Sequence, residues 1–316
     1  MIETITVEDG EVITKPGMFA MSLDWYHQSC CDGPSVSSTG LRTMWADSPA
    51  HYWATSALNP RRLPQKDNPA FNIGRAAHHL LIQGRKGFDE EFVTRPDRWP
   101  DWRTKESQQW RAEQIAAGKT VITLDDLENI AGMAHSLGAH PLVKAGILDG
   151  LIERSLIFKD PESGVWLKAR PDAVPTDSGD YSDLKTCQSV GDDSLQRSVT
   201  DWNYHAQGAV VGLASLMTLG IPMRSFNLVF VEKTAPWCVR ILSIPQEDLD
   251  RGAAQNRAML HKFAECSRTG VWPGPGDQSD AEYIGVQPYG RARIDARLAI
   301  EIPAIEAALY DARTKK

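Results

Sequence analysis

Basic charge is not in excess in this sequence. Lys and Arg number 34 against 41 Asp and Glu, a net charge of −7. Non-specific coating of a polyanion needs the opposite sign. Any contact with nucleic acid must therefore come from a local basic surface, or from cations that offset acids in a site. Cysteine is also scarce: Cys30, Cys31, Cys187, Cys238 and Cys266 are scattered, odd in number, and form no C-x-x-C pair. That argues against a disulfide framework. Each is expected as a small buried apolar residue in a reducing, intracellular compartment. Long apolar runs are missing. The longest uncharged stretch, Ala206 to Met223, is short of the roughly 20 residues a membrane helix needs and is rich in Gly, Ala and Ser. It is expected as a buried helix, and no membrane partner is expected. The start, MIETITVEDGEVITK, is acidic and has no basic flank before an apolar core, so no leader is expected. No internal repeat and no low-complexity tract is visible. What is present is 316 residues, 42% hydrophobic and 24% charged, the composition of a soluble globular chain with a sizeable core.

Residues 1–34 look like an N-terminal extension. Glu3–Val7 and Glu11–Thr14 suggest a hairpin turning at Asp9-Gly10, followed by a helical stretch from Ser22 to Cys30. Residues 35–149 look helical. Ser37-Ser38-Thr39 offers N-cap chemistry for a helix through Trp45, and Ser48-Pro49 starts another toward Leu58. Ile73, Ala77, Leu80 and Leu81 give a helical stripe with Gly84 as its C-cap. A short strand, Glu91–Thr94, leads into Arg95–Lys105, the most basic and aromatic loop. Helices over Glu106–Ala117 and Leu124–Leu137 follow, the second capped by Thr123.

From 150 to 270 the pattern turns to strands. Leu151–Phe158 and Val165–Val174 suggest a hairpin, with Tyr181–Cys187 pairing after it. Helices near Asp192–Ser198 and Trp202–Leu219, strands Phe226–Glu232 and Trp237–Ser243, and a helix Gln246–Arg268 complete the order β-β-β-α-β-β-α. This predicts an α/β core with a mixed sheet flanked by helices and preceded by a helical region. Residues 271–316 are a tail with a terminal helix from Arg291.

Lys168 to Thr186 organises the rest. One strand delivers Asp172 behind Pro171; a second delivers Asp183 and Lys185. In a strand, i and i+2 share a face, so Asp183 and Lys185 point one way and Leu184 points into a core. Two carboxylates that share hard cations, plus a lysine to orient water or offset phosphate charge, suit metal-dependent phosphodiester hydrolysis. The backbone carbonyl of Leu184 could also reach a metal. An isolated Asp-x-Lys is more often a solvated hairpin; the other motifs reverse that balance. His78 stands one turn beyond Gly74 on the same helix face. Glu153 is either a further ligand or an ion-pair partner of a neighbouring Arg. Gln207 could bond a phosphate or hold the lysine, or serve as a core hydrogen bond.

The set Gly74-x-x-x-His78, Glu153, Pro171-Asp172, Asp183-Leu184-Lys185-Thr186 and Tyr204-His205-Ala206-Gln207 resembles the PD-(D/E)XK nuclease superfamily. Within it the chain looks like the RecE-type, phage-recombination branch, related to lambda exonuclease and the nuclease domain of RecB. The resemblance runs from about residue 35 to about 275 and includes Trp102-Arg103-Thr104-Lys105. It implies a restriction-endonuclease-like core, with Asp172, Asp183, Lys185 and Glu153 catalytic. It also implies His78, Asp172, Asp183, Glu153 and the Leu184 carbonyl as metal ligands for Mg²⁺, with Mn²⁺ able to substitute. Gln207 matches the family's glutamine; the tyrosine that often follows four residues on is Val211 here. An iron–sulfur cluster is not expected, since the cysteines do not bracket the core.

The implied activity is 5′→3′ digestion of one strand of duplex DNA from its ends. A ring of three or four subunits would enclose the duplex, and the 3′ tail would pass to a RecT-type annealing protein. The setting would be the cytoplasm of a bacterial cell or phage-infected host. Trp102, Arg103 and Lys105 could stack on bases and grip phosphates, and Thr39 lies where related enzymes hold a terminal phosphate. The alternatives are an endonuclease of the same superfamily and a non-cutting DNA-end scaffold for an annealing protein.

Overall fold

The computed structural model describes residues 3–63, 69–176, 178–276 and 280–314. It divides into two compact units, Met1–Gly274 and Pro275–Lys316. The first opens with β1 (Ile5–Thr6), β2 (Gly17–Ala20), α1 (Leu23–Tyr26) and β3 (Ser35–Ser37). A helical region follows: α2 (Ser38–Ala46), α3 (Pro49–Thr55), α4 (Pro69–His78), a π-helical segment His79–Gln83 and α5 (Gly84–Glu91). It continues through β4 (Phe92–Thr94), α6 (Lys105–Ala116), β5 (Thr120–Ile122), α7 (Leu124–Ala139) and α8 (Pro141–Lys144). Next come β6 (Leu151–Ile152), β7 (Ser155–Lys159), β8 (Trp166–Ala169), β9 (Ala173–Val174) and β10 (Asp180–Cys187). The unit closes with α9 (Asp192–Asp201), α10 (Tyr204–Leu219), β11 (Ser225–Glu232), β12 (Val239–Ser243) and α11 (Gln246–Thr269). The second unit carries one long helix, α12 (Pro288–Thr314).

Helix starts follow side-chain chemistry. Ser37 accepts a hydrogen bond from the Gly40 N–H, Ser48 from His51, and Thr104 from Ser107. Thr123 and Asp126 form a reciprocal capping box at α7. Ser37 is thus the N-cap of α2, which leaves the Ser38 and Thr39 hydroxyls free of that duty.

Five strands form one mixed sheet in the order β1-β2-β7-β8-β3, and β10-β11-β12 form another. The expected hairpin at Asp9-Gly10 does not form. The turn is there, with Glu11 N–H donating to the Glu8 carbonyl, but β1 pairs in parallel with β2, Ile5 opposite Phe19. Nor do residues 1–34 stand apart from the core: β2 pairs antiparallel with β7 and Trp166 Nε1 donates to Asp32 at 2.7 Å, while β3, just beyond them, pairs in parallel with β8. Two parallel pairings cannot be read from local turn signals, because their connections are long. Strand β10 also departs from expectation. It pairs in parallel with β11 along its whole length, from Asp180–Ser225 to Cys187–Glu232, with α9 and α10 as the crossover.

Two apolar cores sit on opposite faces of the β10–β11 pair. Tyr181, Phe226, Leu228 and Phe230 face a core built with Leu156, Leu167, Val210, Ala214 and Phe263. Leu184, Val229 and Val231 face another, with Ala76, Ala77, Ile130 and Met133. Burial on both faces explains the near-continuous apolar run of β11. It also makes the alternation in β10 informative: Leu184 goes to the second core, while Asp183 and Lys185 point toward α10.

Among the described residues no helix is long and apolar enough to cross a membrane. The Ala206–Met223 stretch forms most of α10, inside the first core. All five cysteines are free; four are buried and Cys238 is exposed.

Candidate active site

The two expected long strands are each broken, and the breaks face one another. β6 and β7 are interrupted at Glu153-Arg154, and β8 and β9 at Arg170-Pro171-Asp172. Ile152 pairs with Ala173 on one side of the gap and Leu156 with Ala169 on the other. Proline lacks the N–H a ladder requires, so Pro171 fits a strand end. Glu153 takes a left-handed backbone, φ 55°, and donates its N–H to the Asp172 carbonyl at 3.0 Å. A non-glycine residue in that region costs roughly 1–2 kcal/mol. The return is a pair of acids turned out of the sheet toward one point.

Four elements meet there. Asp172 Oδ2 accepts the Leu184 N–H at 2.6 Å, which ties the break to β10. That N–H points away from β11, and the Leu184 carbonyl leaves the strand on the same edge. From the end of α4, His78 Nε2 lies 2.9 Å from Asp172 Oδ1, and its Nδ1 lies 3.5 Å from Glu153 Oε1. Lys185 Nζ ion-pairs with Asp183 Oδ2 and stands 4.8 Å from the Tyr204 ring centroid. From α10, Gln207 Nε2 donates to Asp183 Oδ1. Gln207 therefore orients the acid, and among the described contacts it does not hold the lysine. Glu153 makes the expected ion pair with a neighbouring Arg, Arg170 Nε at 2.7 Å, and also faces His78.

The charges are strongly coupled. Burial opposes a charged His78, but the Asp172 carboxylate and then Glu153 outweigh it and raise the imidazole to about 9. Asp172 is likewise penalised by burial, yet His78 and Lys185 hold it below the usual carboxylate value. Asp183 is pushed up, first by burial and then by the Asp172 charge. Burial disfavours the Lys185 ammonium, and Asp183 more than compensates, so its pKa rises. A positive charge beside Asp183 favours its ionised form against both burial and the Asp172 charge.

A cavity of about 250 Å³ opens over this cluster, bordered by Ser38, Thr39, Arg42, Arg75, His78 and Glu153, among others. A larger one, about 630 Å³, shares His27, Ser37 and Thr39 with it. Buried polar atoms without hydrogen bonds concentrate here. Ser38 Oγ, Arg42 Nε, His79 Nδ1 and Gln207 Oε1 all lie around the smaller cavity without a hydrogen-bond partner among the described residues. Unsatisfied buried polar atoms are uncommon. Such a concentration fits a site shaped for a ligand.

Asp183 Oδ2 and Gln207 Oε1 are acceptors, and the donors around them are oxygen-rich with one imidazole, a set suited to Mg²⁺ or Mn²⁺. The residues present therefore fit a divalent cation. As placed, the acids are taken up by His78, Lys185 and Arg170, and among the described residues no three acidic, histidine or cysteine groups are spaced to hold a metal. A cation would replace those pairings.

The loop expected to grip DNA makes no described contact with these residues. Trp102 stacks on Trp110, Arg103 pairs with Asp101 at 2.9 Å, and Lys105 is the exposed first residue of α6. Arg42 and Arg170 are site residues that sequence reasoning passed over, and Tyr204, though part of the Tyr204–Gln207 motif, was given no role of its own. Arg42 could have been found, because Ser38-x-x-x-Arg42 places both on one helix face. Arg170 carried a signal too, since it precedes Asp172 by two in a strand.

The fold and the acid–acid–lysine set define a member of the PD-(D/E)XK nuclease superfamily. Within it, the chain belongs to the family described as "PDDEXK-like domain of unknown function (DUF3799)", which matches residues 37–284. A crystal structure of a protein described as a candidate exonuclease from Eubacterium rectale superposes with a TM-score of 0.57 at 12% sequence identity, covering 80% of this chain and 91% of that one. At that identity the likeness is one of fold. No curated protein sequence matches the chain.

Proposed function

We propose that this protein is a Mg²⁺-dependent exonuclease that digests one strand of duplex DNA 5′→3′ from its ends. The observation that carries the reading is the convergence of Asp172, Asp183 and Lys185, locked by the Leu184 N–H on Asp172 at 2.6 Å. A bound divalent cation would supply Lewis-acid activation of water and charge stabilisation at the phosphate; Asp172, Asp183, His78, Glu153 and the Leu184 carbonyl would hold it. Lys185 orients the attacking water and offsets developing phosphate charge. Gln207 and Tyr204 fix Asp183 and Lys185. Arg170 fixes Glu153. Thr39 and Arg42 line the cavity as neutral and cationic donors for a phosphate. The ring of three or four subunits and the hand-over of a 3′ tail to an annealing protein follow from the resemblance.

Linear and covalently closed duplexes, incubated with Mg²⁺, separate the readings. An exonuclease degrades the linear form and leaves the closed circle intact; cutting of both would replace it with an endonuclease. Release of label from a 5′-labelled duplex before a 3′-labelled one gives the polarity, and mass in solution gives the subunit number.

A further inference from the structure

Trp102 is the sequence's candidate for stacking on bases, but its ring already has partners. Trp110 lies parallel to it at 12° and 6.4 Å, and the Arg95 and Arg111 guanidinium groups stand 5.4 Å and 5.2 Å from its centroid. Exposed indole surface is found elsewhere. Trp45 is 48% exposed and Trp202 is 56% exposed, while the other eight of the ten tryptophans are buried or half-buried. Neither has a ring partner among the described residues.

Both sit beside Arg42. Its Nη1 donates to the Trp202 carbonyl at 2.7 Å, which fixes the backbone that carries the indole. Trp45 follows Arg42 by three residues on α2 and so shares its face; the two border a narrow cleft with Asn203. Asn203 is buried in a left-handed conformation, φ 50°, and starts α10, the helix that delivers Tyr204 and Gln207 to the acids. Arg42 itself lines the catalytic cavity. Two free indoles are thus carried next to Arg42, the residue that reaches the catalytic cavity.

We propose that Trp45 and Trp202 form a stacking lip that holds unpaired nucleobases of a DNA end beside the catalytic cavity. The ligand class is single-stranded deoxynucleotide of any sequence, since every base offers a π-face and base–aromatic stacking is sequence-tolerant. The assignment rests on the nuclease reading for its place in catalysis. It accounts for indole surface that the fold itself leaves uncovered, and it moves base contact from the Trp102 loop to the rim of the acids.

The test uses single-stranded oligodeoxynucleotides carrying 2-aminopurine at the end, bound to the full chain in EDTA so that no cleavage intervenes. The wild type quenches the probe. Trp202→Ala and Trp45→Ala each weaken binding by about 5- to 150-fold, the range of a lost base stack, and abolish most of the quenching; Trp202→Phe restores it. Alanine variants that melt like the wild type yet quench equally well would overturn the lip, as would a phenylalanine variant no better than alanine. Acrylamide quenching of wild-type tryptophan emission gives a reading without mutation: DNA must shield it, and unchanged accessibility contradicts the proposal. Wild-type protein that cuts no DNA with Mg²⁺ refutes the nuclease reading, and the EDTA measurement still decides the lip. Cutting with unaltered quenching in the variants refutes the lip alone.

Discussion

Asp183 and Lys185 are two residues apart on one strand, and that spacing alone sets both on the face toward α10. Their environment was harder to read. Arg42, Arg170 and Tyr204 complete the electrostatics from three separate elements, and no single motif contains them. Asp160 was also passed over. Its carboxylate is 1% exposed and accepts from Ser163 N–H, Ser163 Oγ and Arg257 Nη1 at 2.6–2.8 Å. Arg257 also reaches Glu162, which meets His261 at 2.8 Å. Burial pushes Asp160 up, but the Arg257 and Ser163 hydrogen bonds outweigh it and hold it below the ordinary 3.8. A depressed carboxylate stabilises the fold fully above its unfolded value and loses that contribution as pH falls through its folded one. Asp160→Asn should therefore cost about 1–3 kcal/mol at pH 7 and nearly nothing at the lowest pH at which the chain still folds. Urea unfolding at pH 7, 4 and 3 checks this; an equal loss at each pH would mean that the charge is not what matters.

The breaks that expose Glu153 and Asp172 lie inside runs whose apolar content suggests uninterrupted strands. Pro171 marked one of them, but nothing local marked the other, because Glu153 is held left-handed by its partner strand. The N-terminal pairing of β1 with β2 was hidden for the same reason: a parallel ladder needs a partner that sequence spacing does not name. Helix limits were far more legible, since Ser48, Thr104, Thr123 and Gly270 cap them through local chemistry. The contact between α10 and α11 is close. A Cβ added at Gly252 would lie 2.7 Å from the Ala206 Cα and 2.7 Å from the His205 carbonyl oxygen. Backbone cannot yield as a side chain does, so Gly252→Ala should destabilise by about 1–3 kcal/mol and lower nuclease turnover by shifting Gln207. Gly138 in α7 meets nothing within 4 Å, and Gly138→Ala should stabilise by about 0.5–1 kcal/mol. Chemical denaturation of the pair checks the opposite signs.

At the scale of the molecule, all three apolar clusters, every described strand and every residue of the site belong to the unit Met1–Gly274. A chain ending at Gly274 should then unfold in one transition with a midpoint within a few degrees of the full chain, and should keep its activity. A shift of about 10 °C or more would assign α12 a structural role. The acidic balance of the sequence argues against general nucleic-acid coating and directs attention to a local site. The acids there are compensated one by one, by His78, Lys185 and Arg170.

The account stands on Asp183 and Lys185 acting together in phosphodiester cleavage. Its most direct test is the initial rate of linear-duplex degradation with saturating Mg²⁺, comparing the wild type with Asp183→Ala and Lys185→Ala. Each substitution is predicted to slow cleavage by at least 100- to 1,000-fold, roughly 3–4 kcal/mol of barrier, while melting like the wild type. Equal rates in all three proteins would contradict it.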